Sequence, residues 1–186
     1  MPDRAPGSAH LLVQTDGAAA EQEAADALAI IAAHGGDAAM TTDPEEGERL
    51  LAVRRAMHPA MEALGPVLIE DVAVPRSRLA EMFAAIRAIG DRYGMPIPTV
   101  AHAGDGNLHP NLVYAGEDVP EEVWQAAGEV FEAALALGGT LTGEHGVGTL
   151  KRRWLVAELG DEQVALQRRI KEAFDPRGIL SPGRAI

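Results

Sequence analysis

The apolar positions of this chain follow two different periods, and each stretch predicts an element. His10–Thr15 (HLLVQT) is a short apolar run closed by Asp16-Gly17, which predicts a strand and a turn. Residues 18–33 are rich in Ala and Glu, with Leu28, Ile30 and Ile31 on the apolar side. They predict a helix stopped by His34-Gly35-Gly36, and residues 37–42 suit a brief strand. Asp43-Pro44-Glu45-Glu46 opens a second helix. Asp43 can cap it, Pro44 fits its first turn and Glu46 stands where a capping box wants a carboxylate. The pattern carries this helix toward Leu64, ahead of Gly65-Pro66. VLIEDVAV (67–74) predicts a strand, 77–93 an amphipathic helix and 97–101 a strand. A glycine-rich turn and a strand at 108–114 follow. Val123, Ala127, Val130, Phe131 and Leu135 recur at helical spacing across 120–137, and two short helices are expected near 149–158 and 161–173. The tail, FDPRGILSPGR, reads as a type I turn over 175–178 and a type II turn over 181–184. With no parallel βαβα rhythm and no GxGxxG, the order predicts an α+β fold. Its helices pack on one face of a mostly antiparallel sheet, with helices added at the C-terminal end. Residues 1–9, with two prolines and a glycine, read as a flexible leader or linker remnant.

Composition narrows the chemistry. The chain has 186 residues, 47% hydrophobic and 24% charged, which suits one domain or two small ones. Twenty-eight acidic against sixteen basic residues give a net charge of −12, which repels phosphate backbones and argues against nucleic-acid binding. There is no cysteine, so disulfides, thiolate chemistry and Cys-ligated clusters are excluded. Histidines and carboxylates are left as the metal ligands. The first ten residues do not read as a signal peptide, and no stretch has the length and apolarity of a membrane span.

Two glycine-rich strings concentrate the reactive side chains. AHAGDGNLH places His102, Asp105, Asn107 and His109 together, with Gly104 and Gly106 letting the backbone turn sharply. The histidines are too far apart for adjacent turns of one helix. A strand–turn–strand geometry brings both imidazoles to one point, as Zn²⁺, Mn²⁺ or Fe²⁺ would require. Asp105 or Asn107 can orient a ligand from behind. The competing reading is an ordinary Asp-Gly and Gly-Asn turn. TLTGEHGVGTLKR displays Glu144 and His145 between glycines. Glu144 can complete a His/His/Glu set with His102 and His109. His145 beside a cation would stay neutral and serve as a base. The alternative is a flexible loop after a helix stop. Arg54, in a helix, is weighed as a carboxylate clamp against a solvated charge. Lys151, Arg152 and Arg153 read mainly as surface charges, and Trp124 and Trp154 as packing residues.

HAGDGNLH, GEHGVGTLKR and FDPRGILSPGR together resemble the C-terminal domain of the FAD-linked oxidases, a family that includes glycolate oxidase, D-lactate dehydrogenase and D-2-hydroxyglutarate dehydrogenase. The resemblance runs from about His10 to the end, so 10–186 is expected to be that domain, with the family's preceding flavin-binding domain absent. It implies a ferredoxin-like core and a substrate lying between this domain and the flavin. His102, His109 and Glu144 correspond to the metal ligands of relatives that carry a divalent ion, and His145 to the general base. Asn107 corresponds to an active-site asparagine and Arg54 to the arginine receiving the substrate carboxylate. Ser181 and Gly183 lie in the tail that approaches the flavin. Many relatives have LNPGK there; this chain has LSPGR. No lysine lies between residues 56 and 150, so the partner of a second substrate carboxylate, a lysine in the D-2-hydroxyglutarate branch, is missing.

The resemblance thus implies an oxidoreductase of small 2-hydroxy acids such as D-lactate or glycolate, in which hydride passes from substrate Cα to flavin N5. Its implied cofactors are FAD, held mainly elsewhere, and a divalent metal (Zn, Mn or Fe). A flavin-binding subunit or self-association would complete it. The expected location is cytoplasmic, at most peripheral to the membrane through an electron-acceptor partner. Two other readings stand beside this one: a non-catalytic remnant or binding subunit, and a small metal-dependent hydrolase built on the same side chains.

Overall fold

The structure, a computed structural model, describes residues 9–186. The leader expected over 1–9 therefore lies outside the described residues except for Ala9. The chain divides into two compact units, one ending at Ala60 and one beginning at Met61.

The first unit contains α1 (Ala20–Ala33) and α2 (Pro44–Arg55). Asp43 caps α2 as its sequence predicts, accepting the N–H groups of Glu45 and Glu46 at 2.8 and 3.1 Å. Glu46 turns to the Thr41 hydroxyl, which donates to it at 2.6 Å. The single helix expected as far as Leu64 is broken: α2 stops at Arg55 and α3 runs from Met57 to Glu62. Pro59 explains the break. It has no N–H for the Arg55 carbonyl and is tolerated only in a helix's first turn, so a new helix starts just before it. The strands expected at 10–15 and 37–42 do not form. Neither run has a ladder partner among the described residues, and a strand exists only through one. Thr15 instead donates its hydroxyl to Ala20 O at 2.9 Å.

The second unit is α+β with a small antiparallel sheet. Its strands are β1 (Val67–Ile69), β2 (Val72–Ala73), β3 (Thr99–His102) and β4 (Asn107–Val113). β4 is the hub, pairing with β1 and β2 on one side and β3 on the other. Val67 faces Val113 and Ala73 faces Asn107 in one continuous register, so β1 and β2 are one strand with a gap. The gap falls where Glu70 meets Pro110. Glu70 N–H donates to Pro110 O at 2.9 Å, but proline has no N–H to return.

Period-2 alternation sorts the sheet into two faces. Leu68, Val72, Leu108 and Leu112 join the buried core with Met82, Ile86 and Ile89 of α4 (Leu79–Tyr93) and Val123, Val130 and Phe131 of α5 (Glu121–Ala136). Asn107, His109 and Asn111 alternate with those leucines and point to the opposite face. Cross-strand partners share a face, so the register puts His102 beside Asn107 and Asp71 beside His109. The C-terminal α6 (Leu155–Phe174) follows a 3₁₀ turn at Arg152–Trp154 and is kinked at Gly160, which separates the two helical stretches the sequence predicts. Both tail turns form: Gly178 N–H reaches Asp175 O at 3.0 Å and Arg184 N–H reaches Ser181 O at 3.2 Å. No helix among the described residues is long and apolar enough to cross a membrane.

Candidate functional site

The β3–β4 hairpin carries one half of the site. Its turn requires glycine at 106, where φ is +83° and a Cβ would stand 2.1 Å from Val74 O. Val74 N–H donates to Gly106 O at 3.0 Å, closing the turn against the end of β2. Asp105 accepts the Asn107 N–H at 3.1 Å through Oδ1, which helps close the turn. The hairpin then sets the His102 and His109 rings edge to face with centroids 5.3 Å apart.

The loop after α5 carries the other half, and Asp71 shapes it. This carboxylate is fully buried. It accepts the Thr142 hydroxyl at 2.8 Å and the N–H groups of Gly143, Glu144 and His145 at 2.8, 3.1 and 3.0 Å. Gly143 packs against the Asn107 amide, where a Cβ would come within 2.3 Å of Asn107 Oδ1. Lys151 is buried as well, contrary to its reading as a surface charge. Its Nζ donates to Asp71 O at 2.5 Å and Leu141 O at 3.0 Å, and lies 3.4 Å from Asp71 Oδ2 and 3.9 Å from Glu70 Oε2. Of its neighbours, Arg152 donates to Gly183 O at 3.2 Å, and Arg153 stacks over the Trp124 and Trp154 rings.

Burial sets the electrostatics of this cluster. It drives the Glu70 carboxyl up to about 7, with Asp71 adding to the rise and Lys151 and Arg153 opposing it. Burial also pushes Asp71 upward. There the His145 N–H, the Thr142 hydroxyl, the Lys151 ammonium and the Glu144 N–H outweigh it and hold the carboxyl at about 2. The Lys151 ammonium is held below the ordinary lysine range by burial, against the pull of Asp71 and Glu70. His109 is likewise lowered, by burial first and then by His145, so its ring favours the neutral form that coordinates metals.

The two halves converge on Glu144. Its Oε1 lies 3.0 Å from His109 Nε2 and 3.6 Å from His102 Nε2, and the three donor atoms all fall within 4.8 Å of one another. Two imidazoles and a carboxylate suit a borderline divalent cation, so the residues fit the metal that the sequence predicts. His145 stacks on His109 at 4.9 Å between centroids, with its Nε2 4.0 Å from Glu144 Oε1. His109 side-chain exposure is 12%, against 43% for His102, 54% for Glu144 and 45% for His145, so the cluster opens to solvent on one side. Asp71, His109 and His145 form a second close trio. The hydrogen bonds that Asp71 accepts from the loop mark it as a support.

The sequence matches the family described as FAD linked oxidases, C-terminal domain, over residues 2–185. The chain belongs to this family. It is 43% identical over 155 residues to glycolate oxidase subunit GlcD of Bacillus subtilis, an alignment covering 80% of the chain and 33% of that relative. It is 35% identical over 158 residues to the mitochondrial D-lactate dehydrogenase [cytochrome] of Arabidopsis thaliana, covering 82% and 28%. It is 36% identical over 183 residues to D-lactate dehydrogenase of Archaeoglobus fulgidus, covering 97% and 40%. The chain thus spans about a third of the length of the curated relatives it matches.

Within this FAD-linked oxidase domain, the hairpin and loop bring together His102, His109, Glu144, His145 and Asn107. The tail joins the loop from another side, with Ala185 N–H donating to Gly148 O at 2.7 Å. Gly183, at φ +75°, occupies the third position of its turn, and Ser181 stands at φ +44°. Arg54 lies exposed near the end of α2, in the first unit. Sequence reasoning missed Asp71 and Lys151. The signal for Asp71 was there: Glu70-Asp71 is a pair of carboxylates inside an otherwise apolar strand.

Proposed function

We propose that this chain is the substrate- and metal-binding domain of an FAD-dependent 2-hydroxy-acid oxidoreductase acting on D-lactate, glycolate or a similar acid. The observation that supports it is the approach of Glu144 Oε1 to both His102 Nε2 and His109 Nε2, with His145 stacked alongside. His102, His109 and Glu144 hold a divalent cation. When bound, the cation supplies Lewis acidity toward a substrate hydroxyl and the flavin supplies the hydride acceptor. His145 Nε2 takes the hydroxyl proton, Arg54 pairs with the substrate carboxylate, and Asn107 lines the site behind the cation. Ser181 and Gly183 face the flavin, which another part of the protein or a partner subunit holds.

The test separates ligand from base. Glu144→Gln should weaken Zn²⁺ or Mn²⁺ binding, while His145→Ala should leave it nearly intact. Loss of the metal in His145→Ala as complete as in Glu144→Gln would make His145 a ligand. Absence of any bound metal in the folded wild-type chain after reconstitution would defeat the reading.

A further inference from the structure

We propose that Asp71 is the positioning residue of this site: one buried carboxylate, steadied by Lys151, fixes both the loop bearing Glu144 and His145 and the ring of His109. The proposal rests on the metal-binding reading above and adds a residue to it. The two carboxylate oxygens divide the work. Oδ2 receives the Thr142 hydroxyl, three consecutive loop N–H groups and the Lys151 ammonium. Oδ1 receives only a long 3.3 Å bond from Glu144 N–H and faces His109 Nδ1 at 3.9 Å. That ring nitrogen is buried and has no other partner. The opposite nitrogen, Nε2, is the one that meets Glu144. A histidine engaged through Nε2 carries its ring proton on Nδ1, and a carboxylate behind it fixes the ring and raises its basicity. The strand register enforces this arrangement, because Asp71 stands directly across from His109 beside the gap left by Pro110. Lys151 adds a fixed positive charge, and its bonds to Asp71 O and Leu141 O tie the strand to the base of the loop.

Asparagine at 71 keeps the shape but is uncharged and has a single acceptor oxygen, so its amide N–H groups must confront either the loop N–H groups or the Nδ1–H of His109. Zn²⁺ titration by calorimetry on the intact chain should show Asp71→Asn binding about 10–100-fold more weakly. Ile86→Ala, which damages the helix core, controls for simple destabilisation and should bind Zn²⁺ as the wild type does. If Asp71→Asn fails to fold, Lys151→Met should show a loss in the same direction. In the metal-free chain, the amides of Gly143, Glu144 and His145 should exchange slowly with solvent and lose that protection in either variant. Wild-type Zn²⁺ affinity in a folded Asp71→Asn, or fast exchange of those three amides in the wild type, overturns the proposal. A wild-type chain that takes up no Zn²⁺ sinks the metal reading alone, and the amide measurement still decides the role of Asp71.

Discussion

His102 and His109 sit on a ladder, whereas Glu144 and His145 sit on a loop. The histidine pair inherits its position from β3 and β4, whose other face is sealed by Leu108 and Leu112. Its geometry lasts as long as the core lasts. The loop pair has no ladder beneath it. Its backbone is folded around one carboxylate, which replaces a set of inter-strand bonds with N–H donors converging on a point. A sheet spreads the cost of damage over many contacts, while a buried anchor concentrates it. Damage to the hairpin should therefore appear as lost stability of the whole unit, and damage to the loop as lost function.

The largest effect should come from the loop. His145→Ala, in a complex reconstituted with a flavin-binding partner, should slow single-turnover flavin reduction roughly 10²–10⁴-fold with little change in stability. An unchanged rate would remove the loop from the chemistry. Next, Leu112→Ala beneath the hairpin should cost about 2–5 kcal/mol of unfolding free energy in urea. A much smaller cost would mean that the strand half is not carried by the core.

The seam between the halves should respond to pH. Glu70 titrates near 7 in the folded chain, above its ordinary 4.5. Folding therefore favours its protonated form, and that contribution is complete below pH 4.5 and lost as pH rises toward 7. The loss is about 3 kcal/mol as an upper bound. Asp71 works the other way. Its carboxyl is held at about 2, so its contribution is present above pH 4 and lost as pH falls toward 2. Urea midpoints across pH 2–8 should show both declines in the wild type and only the acid one in Glu70→Gln. A wild-type midpoint that stays flat between pH 4.5 and 7 would exclude the raised Glu70. The smallest effect should be Thr142→Val, which deletes one of the bonds to Asp71 and should cost about 1 kcal/mol. Thermal melts would check it, and a cost several times larger would show that the loop lacks the redundancy its N–H groups provide.

Much of this was readable in the residues, and most of the exceptions share a cause. The helices over 20–33, 79–93 and 121–136 follow from apolar periodicity, and the two motif strings pointed to the side chains that converge. What escaped depends on pairing. The gap at Glu70-Asp71 appears only once Pro110 is known to lie opposite, and nothing local announces that register. Lys151 begins a run of three cations, which looks like surface until its ammonium is seen against Asp71 O. The strands predicted at 10–15, from an apolar run closed by a turn, and at 37–42 each need a partner, and a run with none among the described residues stays irregular. Pro59 was a plain local signal, and it does divide the helix expected to reach Leu64.

The bonds between Asp71 and the loop join residues 71–80 positions apart in the chain. Closing so long a segment costs entropy before it returns any contact, and such contacts slow the search for the native state. The hairpin histidines need only a short turn to meet. Assembly should thus run in a fixed sequence, with the imidazoles paired early and the carboxylate arm arriving once α5 has docked. A chain emerging from the ribosome has Asp71 before any of its partners, so this anchor spends part of its life as an unpaired acid in a half-built sheet.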